Sequence, residues 1–139
     1  MTERDAIVDA ITRLFWNTDH HHWDGVEAAF ADAVVLDYTS LQGGEAATLA
    51  PDAIVAGWRD HFATVPAHQH LVGNHLVSIV DGDASVTAQF VATHQYDDHI
   101  WTLGGDYHFA LSREGDRWTI HAMTMTAVWQ QPGPVPARS

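Results

Sequence analysis

The chain has 139 residues, 46% of them hydrophobic and 17% charged, a composition that supports burial of one core and predicts a single domain over residues 1–139. Its 18 acidic residues against 6 basic ones give a formal net charge of −12, which argues against nucleic acid and anionic membranes as partners. The absence of cysteine excludes disulfides, thiolate catalysis and sulfur-ligated metals.

The segment Met1–Ala10 has neither a basic start nor an unbroken apolar run, and no stretch approaches a membrane span, so a cytoplasmic protein is expected. Ile7, Ile11, Leu14, Phe15 and Thr18 fall on one helical stripe and predict a helix over 3–19. A short second helix is expected over 24–31, with Val26, Ala29 and Phe30 inward, and then a strand over 34–39 in which Val34, Leu36 and Tyr38 share a face. The Gly43-Gly44 pair marks 42–50 as a loop. Pro51 suits the first turn of a helix running to Ala63, with Ile54, Val55, Trp58 and Phe62 as its stripe. Beyond Pro66 the period becomes two, and turns at Asp81-Gly82-Asp83 and Glu114-Gly115-Asp116 separate strands near 69–80, 84–96, 101–112 and 117–128. Residues 130–139, rich in Pro and Gly, read as a flexible tail. The sum is an α+β cone: three helices from the N-terminal half on one face of a curved, mostly antiparallel sheet enclosing a pocket.

Within that pattern a few polar residues face inward. Ala84, Val86, Ala88, Phe90 and Ala92 form one apolar face, and His94 is its next member. Asp19 follows Phe15 by four residues and Ile11 by eight, on or beside the buried stripe, where a carboxylate needs a partner. Tyr38 continues the inward set of Val34 and Leu36. In His68-Gln69-His70-Leu71-Val72-Gly73-Asn74-His75 the parity is ambiguous: His70 and Val72 share one face, and Leu71, Gly73 and His75 the other, unless a bulge near Gly73 switches them.

In order and spacing, Asp19 with Trp23, Leu36-Asp37-Tyr38, Gln69-His70-Leu71-Val72-Gly73 and Thr93-His94-Gln95 resemble the SnoaL-like branch of the nuclear transport factor 2-like superfamily, and within it the scytalone dehydratases. The resemblance runs from the first helix to about Trp129. It implies a cystatin-like cone and a cofactor-free acid–base enzyme that removes a proton beside a carbonyl and expels water, or a related isomerase or cyclase. It also implies that Asp19, Tyr38, His70 and His94 are the catalytic or water-orienting residues. Phe15, Thr18, Trp58, Phe90 and Trp129 are the expected pocket wall. Two departures stand out: Thr18 occupies the position of a second tyrosine, and residues 102–112 hold no clear equivalent of the polar pair those enzymes place on a late strand.

No cofactor and no metal are expected. His68, His70 and His75 lack a carboxylate at ligand spacing, and His20-His21-His22 read as a solvated turn. The partner expected is a small hydrophobic, oxygenated molecule. A homodimer through the outer face of the sheet is the first expectation and a homotrimer the second, with Trp16 and Trp23 as further contact candidates. The alternative to an enzyme is a non-catalytic binding module that uses the same pocket to hold an apolar ligand.

Overall fold

The first helix starts with a reciprocal cap. Thr2 Oγ1 accepts the Asp5 backbone N–H at 3.1 Å while Asp5 Oδ2 accepts that of Thr2 at 3.3 Å. The computed structural model describes residues 1–133. From that cap α1 (Glu3–Asp19) buries Ile7, Ile11, Leu14, Phe15 and Thr18, the stripe read from the sequence. Then follow α2 (Trp23–Ala28), β1 (Phe30–Asp37), α3 (Thr39–Gln42), β2 (Ala47–Leu49), α4 (Pro51–Phe62), β3 (Ala67–Val80), β4 (Asp83–Gln95), β5 (Ile100–Glu114) and β6 (Arg117–Gln131). No helix among the described residues is long and apolar enough to cross a membrane.

The six strands form one curved, unclosed sheet in the order β2-β1-β6-β5-β4-β3. Strands β3 to β6 are the expected antiparallel meander, whereas β1 joins β6 in parallel and carries β2 on its outer edge. The helices cover the concave face. There Ile11, Leu14, Val86, Phe109, Leu111, Ile120 and Met123 are fully or almost fully buried, each contributing about 1.5–3 kcal/mol by leaving water.

Several sequence expectations are corrected here. The second helix ends at Ala28 because Phe30 already heads β1 and pairs with Ile120. The segment 42–50 is not all loop: its start belongs to α3, whose first residue, Thr39, gives its N–H and hydroxyl to Asp37 Oδ1 at 3.0 and 2.7 Å, and Ala47–Leu49 pair with β1. The helices thus number four among the described residues, one of them a single turn. Gln130 and Gln131 are not tail but continue β6, paired with Leu103 and Thr102; residues 134–139 of the expected tail lie outside the described residues.

One irregularity decides the site. The β3–β4 register shifts between Gly73 and Leu76, at Asn74 with φ 54°. The bulge exchanges the two faces of β3. Before it, His68, His70 and Val72 point to the helices and Leu71 to the outside; after it, His75 and Val77 turn inward and Leu76 is exposed. The ambiguity left by the sequence is resolved in favour of His70 facing in.

Candidate active site

The cone encloses a cavity of about 320 Å³, within the usual range for small-molecule sites. Its walls are Phe15 and Thr18 from α1, Leu36 and Tyr38 at the end of β1, Trp58, His61 and Phe62 from α4, His70 from β3, Phe90 and His94 from β4, and Leu103 and Tyr107 from β5. Leu41, Gln42 and Leu49, from the segment read as a loop, complete it. Among the described residues, no arginine or lysine lines the cavity.

Asp19 ends α1 one turn beyond Phe15, which brings its carboxylate against β3. Oδ2 accepts the His70 backbone N–H at 2.8 Å, and Oδ1 accepts Nδ1–H of His70 at 2.7 Å and Nδ1–H of His68 at 3.2 Å. Burial pushes the Asp19 carboxyl up, but the hydrogen bonds from the His68 and His70 rings, the nearby His70 charge and the backbone N–H outweigh it and hold it at about 2. Asp19 is therefore an anion at neutral pH. With Nδ1–H committed to the carboxylate, the neutral His70 ring keeps Nε2 as its basic atom, on a residue that lines the cavity. The nitrogens of His68 and His70 and a carboxylate oxygen lie within 4.8 Å of one another, residue types that suit a divalent metal. Coordination through Nδ1 would move the proton of each ring to Nε2 and replace the Asp19–His70 hydrogen bond with a bond to the metal.

His94 has the opposite surroundings. Burial pushes its imidazole down; the Nδ1–H bond to the Trp101 carbonyl, at 3.3 Å, opposes this, and the neighbouring His70, His68 and His61 add to it, leaving about 4. It is a neutral ring at physiological pH. Tyr38 and Tyr107 are hydrogen-bond partners; burial raises both phenols, so both stay protonated and able to donate. Tyr107 is held by Phe15 and Phe90, with ring centroids at 5.1 and 4.3 Å. Thr18 turns its hydroxyl back to the Leu14 carbonyl at 2.7 Å.

A SnoaL-like domain model matches residues 1–124 of the chain. The chain belongs to the SnoaL-like family. Among solved structures, the SnoaL-like chain is similar to the Kfla4162 protein from Kribbella flavida, at TM-score 0.90 and 22% identity over 94% of this chain and 93% of that one. It is also similar to a proposed scytalone dehydratase from Novosphingobium aromaticivorans, at TM-score 0.85 and 18% identity over 99% and 91%. A third similar structure, a hexachlorocyclohexane dehydrochlorinase, has TM-score 0.81 and 11% identity over 98% and 92%. At these identities the likeness is one of fold, and it agrees with the cone read from the sequence, as does an NTF2-like protein from Cytophaga hutchinsonii at TM-score 0.75 and 16% identity over 92% and 100%. A comparison with curated protein sequences finds no match.

Of the residues singled out in this SnoaL-like sequence, Tyr38, His70 and His94 line the cavity and Asp19 bonds His70 directly behind it. Phe15, Thr18, Trp58 and Phe90 are in its wall. Trp129 is not. The β5–β6 register shifts between Gly104 and Gly105, which pair with Trp129 and Ala127, so Val128 is an extra residue that reverses the alternation. Met125 and Ala127 point inward, whereas Trp129 is 41% exposed and lies over Gly104 on the outer face. Sequence reasoning missed His68, Tyr107 and His61. The tyrosine in the very strand that offered no polar equivalent sits beside Tyr38, and its signal was the inward parity shared with Leu103 and Phe109. The turn His20-His21-His22 is exposed as expected, yet the His21 ring folds back onto His68.

Proposed function

We propose that the protein is a cofactor-independent acid–base enzyme acting on a neutral, hydrophobic, oxygenated small molecule, as a dehydratase or a related isomerase or cyclase. The observation that carries this reading is the Asp19–His70 pair set against an apolar cavity that also holds a neutral histidine and a pair of protonated phenols. In this mechanism His70 Nε2 takes a proton from the carbon beside a carbonyl. The electron pair moves onto the carbonyl oxygen, which accepts a hydrogen bond from Tyr38 backed by Tyr107. Collapse of the enolate expels the β-hydroxyl, which leaves as water with the proton held on His70. Asp19 stabilises the intervening imidazolium, and neutral His94 orients the departing hydroxyl through its remaining ring nitrogen.

The names of two similar structures, a dehydratase and a dehydrochlorinase, both describe eliminations and support the same class. The lack of an arginine or lysine in the wall among the described residues favours a neutral substrate over a carboxylate or phosphate. The test is a panel of neutral cyclic β-hydroxyketones followed by absorbance of the conjugated product. Turnover that disappears in His70→Ala, with the fold retained by circular dichroism, is the expected result. Ligands that bind but emerge unchanged from the wild type would make the protein a binding module. A homodimer or homotrimer, in the cytoplasm, is proposed alongside: Val35, Leu71, Val91 and Trp129 put exposed apolar surface on the outer face of the sheet, and light scattering reads the mass.

A further inference from the structure

The Asp19 carboxylate serves two imidazoles, and the mechanism uses only one of them. The other, His68, is the cross-strand neighbour of His94 and has a side chain only 1% exposed. Phe62 covers one face of its ring at 4.0 Å and 18°. Its Nδ1 faces Asp19 Oδ1 at 3.2 Å, and its Nε2 faces Nε2 of His21 at 2.8 Å.

Proton positions in this chain follow from charge. An ionised carboxylate only accepts, so its bond to His68 calls for a proton on Nδ1; at 3.2 Å that bond is long, and a donor facing Nε2, 2.8 Å away, completes the choice of tautomer. The neutral ring then has a lone pair on Nε2, and the proton in the 2.8 Å bond belongs to His21 Nε2. The two rings lie within 22° of one plane with centroids 5.1 Å apart, which with an Nε2–Nε2 separation of 2.8 Å means that they meet edge to edge, along the hydrogen bond. His21 is brought there by the exit of α1: its backbone takes φ 56°, its N–H bonds the Thr18 carbonyl at 3.2 Å, and Trp23 lies 5.2 Å from its ring. His20, one residue earlier, instead stacks outward on Trp16 at 4.3 Å.

We propose that His21 and His68 form a second arm on Asp19, in which His21 fixes the tautomer of His68 and His68 fixes the carboxylate that orients His70. Both are positioning residues, and the inference rests on the reading of Asp19 and His70 given under the proposed function. Because Oδ1 is shared and Oδ2 is taken by the His70 backbone, rotation of the carboxylate would break bonds to both rings and to the main chain. The arm also explains why a histidine occupies a left-handed position at the end of a helix, where asparagine or glycine is the commoner choice.

The experiment is long-range proton–nitrogen correlation NMR on protein labelled with ¹⁵N-histidine, without ligand, at a pH near 8, with His70→Ala and His68→Asn used for assignment. Wild-type His68 and His70 are expected as the Nδ1–H tautomer and His21 as Nε2–H. His21→Phe should shift His68 to a mixture of tautomers, while His21→Gln, whose amide places a donor near the lost Nε2, should keep it as Nδ1–H. An Nε2–H or doubly protonated His68 in the wild type, or a His68 signal indifferent to His21→Phe, overturns the proposal. Once a substrate is in hand, His68→Phe should lower kcat about tenfold, the size of one hydrogen bond to a charged group, with KM unchanged, and His68→Asn should restore it. Wild-type kcat in His68→Phe would overturn the positioning role. The two readings fail separately: turnover by His70→Ala would remove the dyad mechanism and leave the tautomer result standing.

Discussion

The carboxylate of Asp19 grips His70 twice, accepting its backbone N–H on one oxygen and its ring Nδ1–H on the other, at 2.8 and 2.7 Å. Ring and main chain are therefore fixed by the same group, which selects the tautomer as well as the orientation. Asp19→Asn replaces the doubly accepting anion with a group that both donates and accepts. Turnover is expected to fall by about a hundredfold or more, with kcat taking the loss; steady-state kinetics against the wild type measures it. A mutant within a few-fold of wild type would remove Asp19 from the mechanism.

Acid should weaken the fold well above the pH at which Asp19 titrates. Burial holds His94 at about 4 against an ordinary 6.5, so the folded ring stays neutral while the unfolded chain takes up a proton. The stability this provides is complete above pH 6.5 and is lost as the pH falls toward 4. Between pH 7 and 5 the loss is about 1–2 kcal/mol, discounted for water reaching the cavity. His61 and His75, also pushed down by burial, act in the same direction. Urea denaturation at the two pH values should show this slope, and His94→Gln should flatten it.

A second acid step belongs to Asp19. Its carboxyl is at about 2 when folded and 3.8 as the ordinary value, so its contribution is complete above pH 3.8 and disappears as the pH falls through 2. About 2 kcal/mol is involved. Asp19→Asn should remove this step and leave the one near pH 6 in place.

Gly104 and Trp129 should be coupled. A Cβ on Gly104 would overlap the Trp129 indole, so Gly104→Ala is expected to destabilise the protein by about 1–3 kcal/mol, and Trp129→Ala to relieve most of that. A double-mutant cycle by thermal denaturation reads the coupling. Because Trp129 lies outside the cone, its replacement should leave ligand affinity in the cavity unchanged.

The phenol pair should act as a unit. Tyr107 and Tyr38 are hydrogen-bond partners and the proposed mechanism uses Tyr38, so Tyr38→Phe should cost the full hydrogen bond, about tenfold or more in kcat, and Tyr107→Phe a smaller part. The double variant should be no worse than Tyr38→Phe alone.

What the sequence made legible follows its periodicities. The unbroken alternation from Ala84 to His94 placed His94 without ambiguity, and the stripe of α1 carried Asp19 with it. Trp129 was misplaced because one unpaired residue, Val128, reverses the parity that runs from Met123 to Ala127. His68 and His21 were invisible as a pair: 47 residues separate them, and the side chain leaving a helix end takes its direction from a left-handed turn that no pattern announces. Tyr107 was overlooked although it shares the inward parity of Leu103 and Phe109.

The bulge at Asn74 makes the chemistry of this protein a matter of counting. His68 and His70 turn to the inner face of the sheet because each stands two positions from the next, as His70 does from Val72, and the reversal comes only afterwards. Point substitutions between His70 and Gly73 leave that count alone, whereas gain or loss of one residue there would shift the frame in which the strand is read and set two histidines against the bulk solvent. A change of two would restore it. Among descendants of this chain, length in that stretch should therefore be more tightly inherited than the identities of Leu71 or Val72.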